Sequence, residues 1–201
     1  MSRELQSHDT SNTQVPQTAQ PLEIERKFLI ERPDENVLAD WPGAYSFEIE
    51  QIYLPPDDSG QSGRIRRRTG QGGSEYFYTV KQRLTDMTRV ETERHITPEE
   101  YHEYELAAMA SVAPSHSGES LARICKTRWC LPFAGHVIEI DIYPFWRRRA
   151  VAEIELAEES EQFSLPPVLT VIREVTGVRE LLNRDMAVFI QNTGRPPPEP
   201  D

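Results

Sequence analysis

Alternation with a period of two residues governs this sequence, and in nearly every alternating segment one face is charged while the other is apolar. That period belongs to β-strands, so it commits the chain to a mainly β fold before any single residue is weighed. Eight segments carry it: Leu22–Ile30, Phe47–Leu54, Gly63–Thr69, Ser74–Arg83, Thr88–Ile96, Leu121–Leu131, Val137–Tyr143 and Arg149–Leu156. Most are joined by short, turn-rich links such as Pro55–Gly60 and the GQGG at 70–73, as an antiparallel meander requires. Thr97-Pro98-Glu99-Glu100 combines an N-cap, a proline at the first helical position and acids in the first turn. It predicts a helix to about Ala110. A short helix is expected over Ser160–Phe163, and Gly177–Asn192 sets Val178, Leu181, Leu182, Val188 and Phe189 near one apolar stripe. The expected class is therefore α+β, mainly β.

Residues 1–20 are rich in Ser, Thr, Gln and Asn and cannot offset their ordering entropy, so they read as a disordered tail. Residues 194–201 (GRPPPEPD) read as a Pro-rich, extended tail, which leaves one folded domain over 21–193. No apolar run approaches the roughly 18–20 residues that span a bilayer, and no apolar signal core is seen. A cytoplasmic protein without membrane partners is expected. Cys125 and Cys130 form no disulfide framework and lack the partners of a zinc site. The net charge of −11 weighs against a nucleic-acid partner, despite the basic runs 64–68 and 147–149.

The composition of the charged faces is the sharper clue. Glu23, Glu25 and Lys27 share a face on the first strand; Arg64, Arg66 and Arg68 share one on the third. Thr79 and Lys81 follow on the fourth, Arg89, Glu91, Glu93 and His95 on the fifth, and Lys126 and Arg128 on the sixth. Glu139 and Asp141 share a face on the seventh strand, and Glu153 and Glu155 on the eighth. Two geometries satisfy this pattern: a packed sandwich or barrel with a solvated, salt-bridged outside, or a wide barrel with the charges inside. The faces are almost purely Glu, Asp and Arg, and acids and bases are segregated by strand. A surface built for solubility intersperses the signs. Both details favour the second geometry, an eight-stranded antiparallel barrel with a charged lumen and helices packed outside.

Such a lumen suits a polyanion. Carboxylates hold oxygen-preferring divalent cations such as Mg²⁺ or Mn²⁺. Guanidinium groups fork onto phosphate oxygens. No segment matches G-x-x-x-x-G-K-[ST], so side chains rather than a Gly-rich backbone cradle would grip the phosphate.

Glu23-Ile24-Glu25-Arg26-Lys27 resembles the E-x-E-x-K signature of the CYTH family, the triphosphate tunnel metalloenzymes. Arg64-Ile65-Arg66, Thr79-Val80-Lys81, Arg89-x-Glu91-x-Glu93, Lys126-Thr127-Arg128, Glu139-x-Asp141 and Glu153-x-Glu155 follow in the family's order. Glu174-Val175-Thr176 and Asn183-Arg184 resemble its closing segment. The resemblance implies a tunnel that binds a triphosphate-containing small molecule together with Mg²⁺ or Mn²⁺. It implies metal-site carboxylates at Glu23, Glu25, Glu153 and Glu155, with Asp141 beside Glu139 as a further metal or water-orienting group. It implies phosphate ligands at Lys27, Arg64, Arg66, Lys81, Lys126, Arg128 and Arg184. Tyr53 sits where similar bacterial triphosphatases carry a Tyr-Leu pair, and Lys27 with Tyr53 is the expected catalytic pair. A neighbouring ammonium favours the ionised phenol, which then acts as a base. Hydrolysis of inorganic triphosphate to pyrophosphate and phosphate is the leading expectation. A class IV adenylyl cyclase, a thiamine triphosphatase and a non-enzymatic polyphosphate-binding module are the alternatives, and the oligomeric state stays open.

Overall fold

The computed structural model describes residues 22–56, 62–83, 85, 88–111 and 121–201; the tail expected over residues 1–20 lies outside them. Among the described residues, nine strands form one antiparallel sheet. They are β1 (Leu22–Glu31), β2 (Tyr45–Tyr53), β3 (Gly63–Gly70), β4 (Gly73–Arg83), β5 (Thr88–Ile96), β6 (Ala122–Phe133), β7 (His136–Ile142), β8 (Arg149–Leu156) and β9 (Val171–Glu174). The ladder order is β5-β4-β3-β2-β6-β7-β8-β1-β9, and β1 also meets β5 over three residue pairs, from Leu22–Val90 to Ile24–Thr88. The mainly β, antiparallel reading holds, but the sheet has nine strands rather than the expected eight. The ninth escapes periodicity because β9 is four residues long, exposed throughout, and paired only with β1.

Helices are few: α1 (Glu35–Ala39), α2 (Pro98–Ser111) and α3 (Asn183–Thr193), with a 3₁₀ turn at Arg179–Leu181. Among the described residues none is long and apolar enough to cross a membrane. The start of α2 is a reciprocal capping box, in which Glu100 N donates to Thr97 Oγ1 and Thr97 N donates to the Glu100 carboxylate. The helix expected over Ser160–Phe163 does not form. Glu161 instead accepts the Ala157 amide at 2.6 Å and pairs with His136, while Phe163 packs against Phe28. The helix expected over Gly177–Asn192 is broken by Leu182, whose extended backbone (φ −75°, ψ 133°) separates the 3₁₀ turn from α3.

Three apolar clusters explain where these pieces sit. Phe28 and Ile30 of β1 join Ile138, Ile140 and Ile154 of β7 and β8 under Leu38 of α1 and the 157–169 segment. Ile52, Ile65 and Ile96 lie under Tyr101 and Ala108 of α2. Both clusters occupy the faces opposite the charges. The third does not. By the two-residue period, Leu29, Ile124 and Val151 lie on the same strand faces as Lys27, Lys126 and Glu153, yet they pack with Leu181, Met186 and Ala187. The charged face thus gives way to an apolar patch at one end, and the 3₁₀ turn and α3 cover it. The C-terminal segment also returns to the sheet: the Glu199 carboxylate accepts the backbone N–H groups of Arg148 and Arg149.

Candidate active site

The charged faces converge on a cavity of about 640 Å³. Glu23, Glu25, Glu139, Glu153 and Glu155 line it from β1, β7 and β8, and Lys27, Arg64, Arg66, Arg68, Lys126 and Arg128 line it from β1, β3 and β6. Tyr53 reaches it from the end of β2 and Arg184 from the first turn of α3. Eleven of the thirteen residues singled out in the sequence therefore share one cavity; Asp141 and Lys81 are the other two. Lys81 lies opposite Glu91 in the β4–β5 ladder, but its side chain falls outside the described ones.

Register builds the acidic wall. Glu25 is paired with Glu155 across β1 and β8, and Glu139 with Glu153 across β7 and β8. Cations are threaded between them. Lys27 Nζ reaches Glu153 Oε1 at 2.6 Å and Glu25 Oε1 at 3.2 Å. Arg128 pairs with Glu139, with Glu153 at 2.8 Å, and forks onto Asp141 through Nε at 2.6 Å and Nη2 at 2.7 Å. Burial opposes ionisation of Glu153, but Lys27, Arg128 and Lys126 outweigh it and hold this carboxyl well below the usual range.

Asp141 was expected to face the metal. It is instead fully buried and does not line the cavity; its carboxylate holds both Lys126 and Arg128 from behind. Burial, reinforced by the neighbouring guanidinium of Arg128, pushes the Lys126 ammonium down to about 8 in spite of Asp141 and Glu153.

Across the cavity, Arg64 stands 3.6 Å from Glu91 and Arg66 stands 2.6 Å from Glu93, whose other contact is the Thr79 hydroxyl at 2.7 Å. Both guanidinium groups keep a donor unused among the described residues: Arg64 Nε and Arg66 Nε are buried without a hydrogen-bond partner there. Burial and the adjacent Arg64 lower the pKa of Arg66, so this wall holds like charges close together. Arg68, at the far end of the row, is bound to Glu75 and lies over the rings of Phe47 and Phe77 at 4.6 and 4.9 Å.

Near α3, Arg184 Nη2 donates to Ser62 Oγ at 3.3 Å, and Tyr143 donates to Asn183 Oδ1 at 2.6 Å. Tyr53 faces Arg64 in the β2–β3 ladder and accepts from Gln51 Nε2 at 3.4 Å. The cation set directly across from this phenol is thus Arg64, while Lys27 engages Glu25 and Glu153. Sequence reasoning gave no role to Gln51 or Tyr143, and it named Asn183 only as part of the closing segment. Gln51 is neutral within a charged pattern, and the other two depend on α3 folding back over β6. Glu91 and Glu93 were visible on their face, but their pairing with Arg64 and Arg66 depends on strand order.

The acidic wall offers only oxygen donors, the kind that Mg²⁺ and Mn²⁺ prefer. Among the described residues, no three His, Cys, Asp or Glu side chains form a ready-made metal cage. The donor chemistry is of the kind a hard divalent cation takes.

The CYTH domain family model matches residues 21–187. Among solved structures, a conserved hypothetical protein of Pyrococcus furiosus is similar over 69% of this chain and 80% of its own, at 20% identity and a TM-score of 0.48. A Pyrococcus horikoshii protein is similar over 68% and 80%, at 19% identity and a TM-score of 0.45. A Hippeastrum protein, named as an adenylyl cyclase and described as having a dominant triphosphatase activity, is similar over 68% and 80%, at 16% identity and a TM-score of 0.44. No curated protein matches the chain.

Proposed function

The chain belongs to the CYTH domain family, and from that premise we propose that it is a metal-dependent hydrolase cleaving a triphosphate within the charged cavity, with inorganic triphosphate as the minimal substrate. The observation that carries this reading is the pair of buried, unpartnered donors Arg64 Nε and Arg66 Nε in a cavity whose opposite wall is acidic. Unsatisfied buried guanidinium donors are costly, and a phosphate chain supplies the acceptors they lack. The β1–β5 pairing supports a sheet curled into a tunnel around that substrate.

Arg64, Arg66, Lys126 and Arg128 bind the phosphate oxygens, and Asp141 keeps the last two aimed by holding them from behind. Arg184 contacts the chain from the α3 side. Glu23, Glu25, Glu153 and Glu155 would hold Mg²⁺ or Mn²⁺. Such an ion, when bound, neutralises charge on the phosphoryl oxygens. Lys27 spaces the carboxylates Glu25 and Glu153 and adds positive charge beside the reacting phosphoryl group. Hydrolysis breaks one P–O–P bond: the oxygen of water joins the departing phosphorus, and the bridging oxygen leaves with pyrophosphate. Tyr53, which faces Arg64 across the ladder, accepts the proton lost by water.

A substrate panel at fixed enzyme tests the reading. Inorganic triphosphate with Mg²⁺ or Mn²⁺ should give phosphate and pyrophosphate in equal amounts, and excess chelator should abolish both. Cyclic AMP and pyrophosphate from ATP, with inorganic triphosphate untouched, would replace hydrolysis with cyclisation.

A further inference from the structure

The turn between β7 and β8, residues 143–148, holds the C-terminal stretch of the chain at two points. At its start, Tyr143 donates to Oδ1 of Asn183, the first residue of α3, at 2.6 Å. At its end, the amides of Arg148 and of Arg149, which opens β8, donate to Glu199 Oε1 at 2.5 and 3.1 Å. The Arg148 amide, with those of Arg147 and Arg149, holds the Glu199 carboxyl below the usual range. The turn itself is well fixed. Tyr143 is fully buried against the rings of Phe145 and Trp146. Arg32, just past β1, donates to the carbonyls of Trp146 and Arg148.

α3 depends on such tethers. A helix of 11 residues is marginal on its own in water. Leu182 at its N-cap makes no side-chain cap, and the residues it buries are small in number, Met186 and Ala187. Beyond its last turn the chain reverses at Gly194 (φ 64°), whose amide donates to Ile190 O, and Arg195 N donates to Thr193 Oγ1. Pro196, Pro197 and Pro198 follow with φ fixed by their rings, and Pro197 is buried. The Glu199 anchor is thus joined to the helix by a stiff connection. We propose that Tyr143 and Glu199 are positioning residues for the triphosphate: from the two ends of the β7–β8 turn they set α3 over the charged cavity so that Arg184 meets the substrate. The inference rests on the hydrolase reading above, with Arg184 as a ligand of the phosphate chain. Arg184 is exposed, lines that cavity, and lies one residue from the Tyr143 tether. A guanidinium on a rocking helix must be immobilised when substrate binds, and the tethers do part of that ordering beforehand.

Steady-state kinetics on inorganic triphosphate test the inference in the full-length protein. Tyr143→Phe deletes one hydroxyl and keeps the ring; Glu199→Ala deletes the carboxylate and keeps the chain length. Each should raise KM by about threefold to tenfold and leave kcat within about twofold. Amides of α3 should exchange with deuterated water faster in both variants, while those of β7 and β8 keep their protection. Both changes act through Arg184, so in an Arg184→Ala background neither should raise KM further. Thermal unfolding checks that each variant is folded, and tethers at opposite ends of α3 leave one reading available should the other variant fail to fold. A wild-type KM in a folded tether variant overturns the inference and leaves the hydrolase reading standing. So does a rise in KM that persists without Arg184, which marks a general loosening of the fold, and so does an Arg184→Ala enzyme with wild-type KM. A wild type inactive on inorganic triphosphate with both Mg²⁺ and Mn²⁺ overturns both readings.

Discussion

Glu25 and Glu155 face one another across the β1–β8 ladder, two carboxylates at directly opposed positions on neighbouring strands. Like charges so placed repel. The fold tolerates the arrangement because Lys27, from the same strand as Glu25, inserts its ammonium toward the acidic wall. Added positive charge beside this opposed pair would ease the repulsion further.

The first prediction follows from that repulsion. Mg²⁺ or Mn²⁺ should raise the unfolding temperature, since an ion bound only by the folded state stabilises it by mass action. Glu155→Gln should make the metal-free protein slightly more stable, by roughly 0.2–1 kcal/mol, because it removes one of two opposed charges. It should also shrink the thermal response to the cation and lower activity. Thermal unfolding with and without the ion reads this directly. An unchanged metal response in the variant would remove Glu155 from the metal site.

Arg64→Ala and Arg66→Ala should mainly weaken binding. Each deletes a charge-assisted hydrogen-bond donor, worth about 1.5–3 kcal/mol, so KM should rise by roughly 10- to 100-fold with a smaller loss in kcat. Initial rates over a range of triphosphate concentrations separate the two constants. A pure kcat defect would move these residues from gripping the substrate to the chemical step.

Tyr53→Phe keeps the ring and removes the hydroxyl that accepts from Gln51. If that oxygen takes the proton from water, kcat should fall roughly 10²–10⁴-fold while KM changes little. Wild-type kcat at every pH would return Tyr53 to a packing role, leaving proton removal to another group of the acidic wall.

Lys126 gives the expected pH dependence. Burial brings its ammonium down to about 8, so in the free enzyme this cation is lost as pH rises through that value. A phosphate ligand that loses its charge binds less well, so kcat/KM for triphosphate should decline on the alkaline side of about pH 8. The sign for stability is opposite. A lysine that gives up its proton more readily when folded than when unfolded disfavours the folded state below its folded pKa. That penalty is relieved as pH rises toward the unfolded value. Lys126→Arg should remove the alkaline decline in kcat/KM. A wild-type profile flat to pH 10 would exclude a titrating Lys126 from substrate binding.

The sequence disclosed the strands because each repeats a two-residue pattern over seven or more residues, and it disclosed the cavity lining because charge is segregated onto one face. What it hid depends on distance along the chain. Nothing in Glu23–Lys27 says that Glu25 lies opposite Glu155 or that Lys27 reaches Glu153, since those are facts of register between strands more than 120 residues apart. Asp141 shows the same limit at shorter range. It shares a face with Glu139, yet Glu139 lines the cavity while Asp141 is sealed behind Lys126 and Arg128. Depth along a tilted strand is set by the whole sheet. β9 and α1 went unread because four or five residues are too few to establish a period.

The pairing of β1 has a further consequence, for how the protein is made. The strand bearing Glu23, Glu25 and Lys27 leaves the ribosome among the first described residues, but its ladder partners begin at Thr88 and extend to Glu174. During synthesis β2, β3 and β4 can zip together locally, while β1 waits with Phe28, Leu29 and Ile30 uncovered until β8 emerges. Contacts of such long sequence separation form slowly and leave a sticky edge exposed meanwhile. Newly made chains should consequently remain dependent on holding factors until the last quarter of the sequence has appeared, and a chain terminated before residue 149 should aggregate rather than persist as an inactive fold.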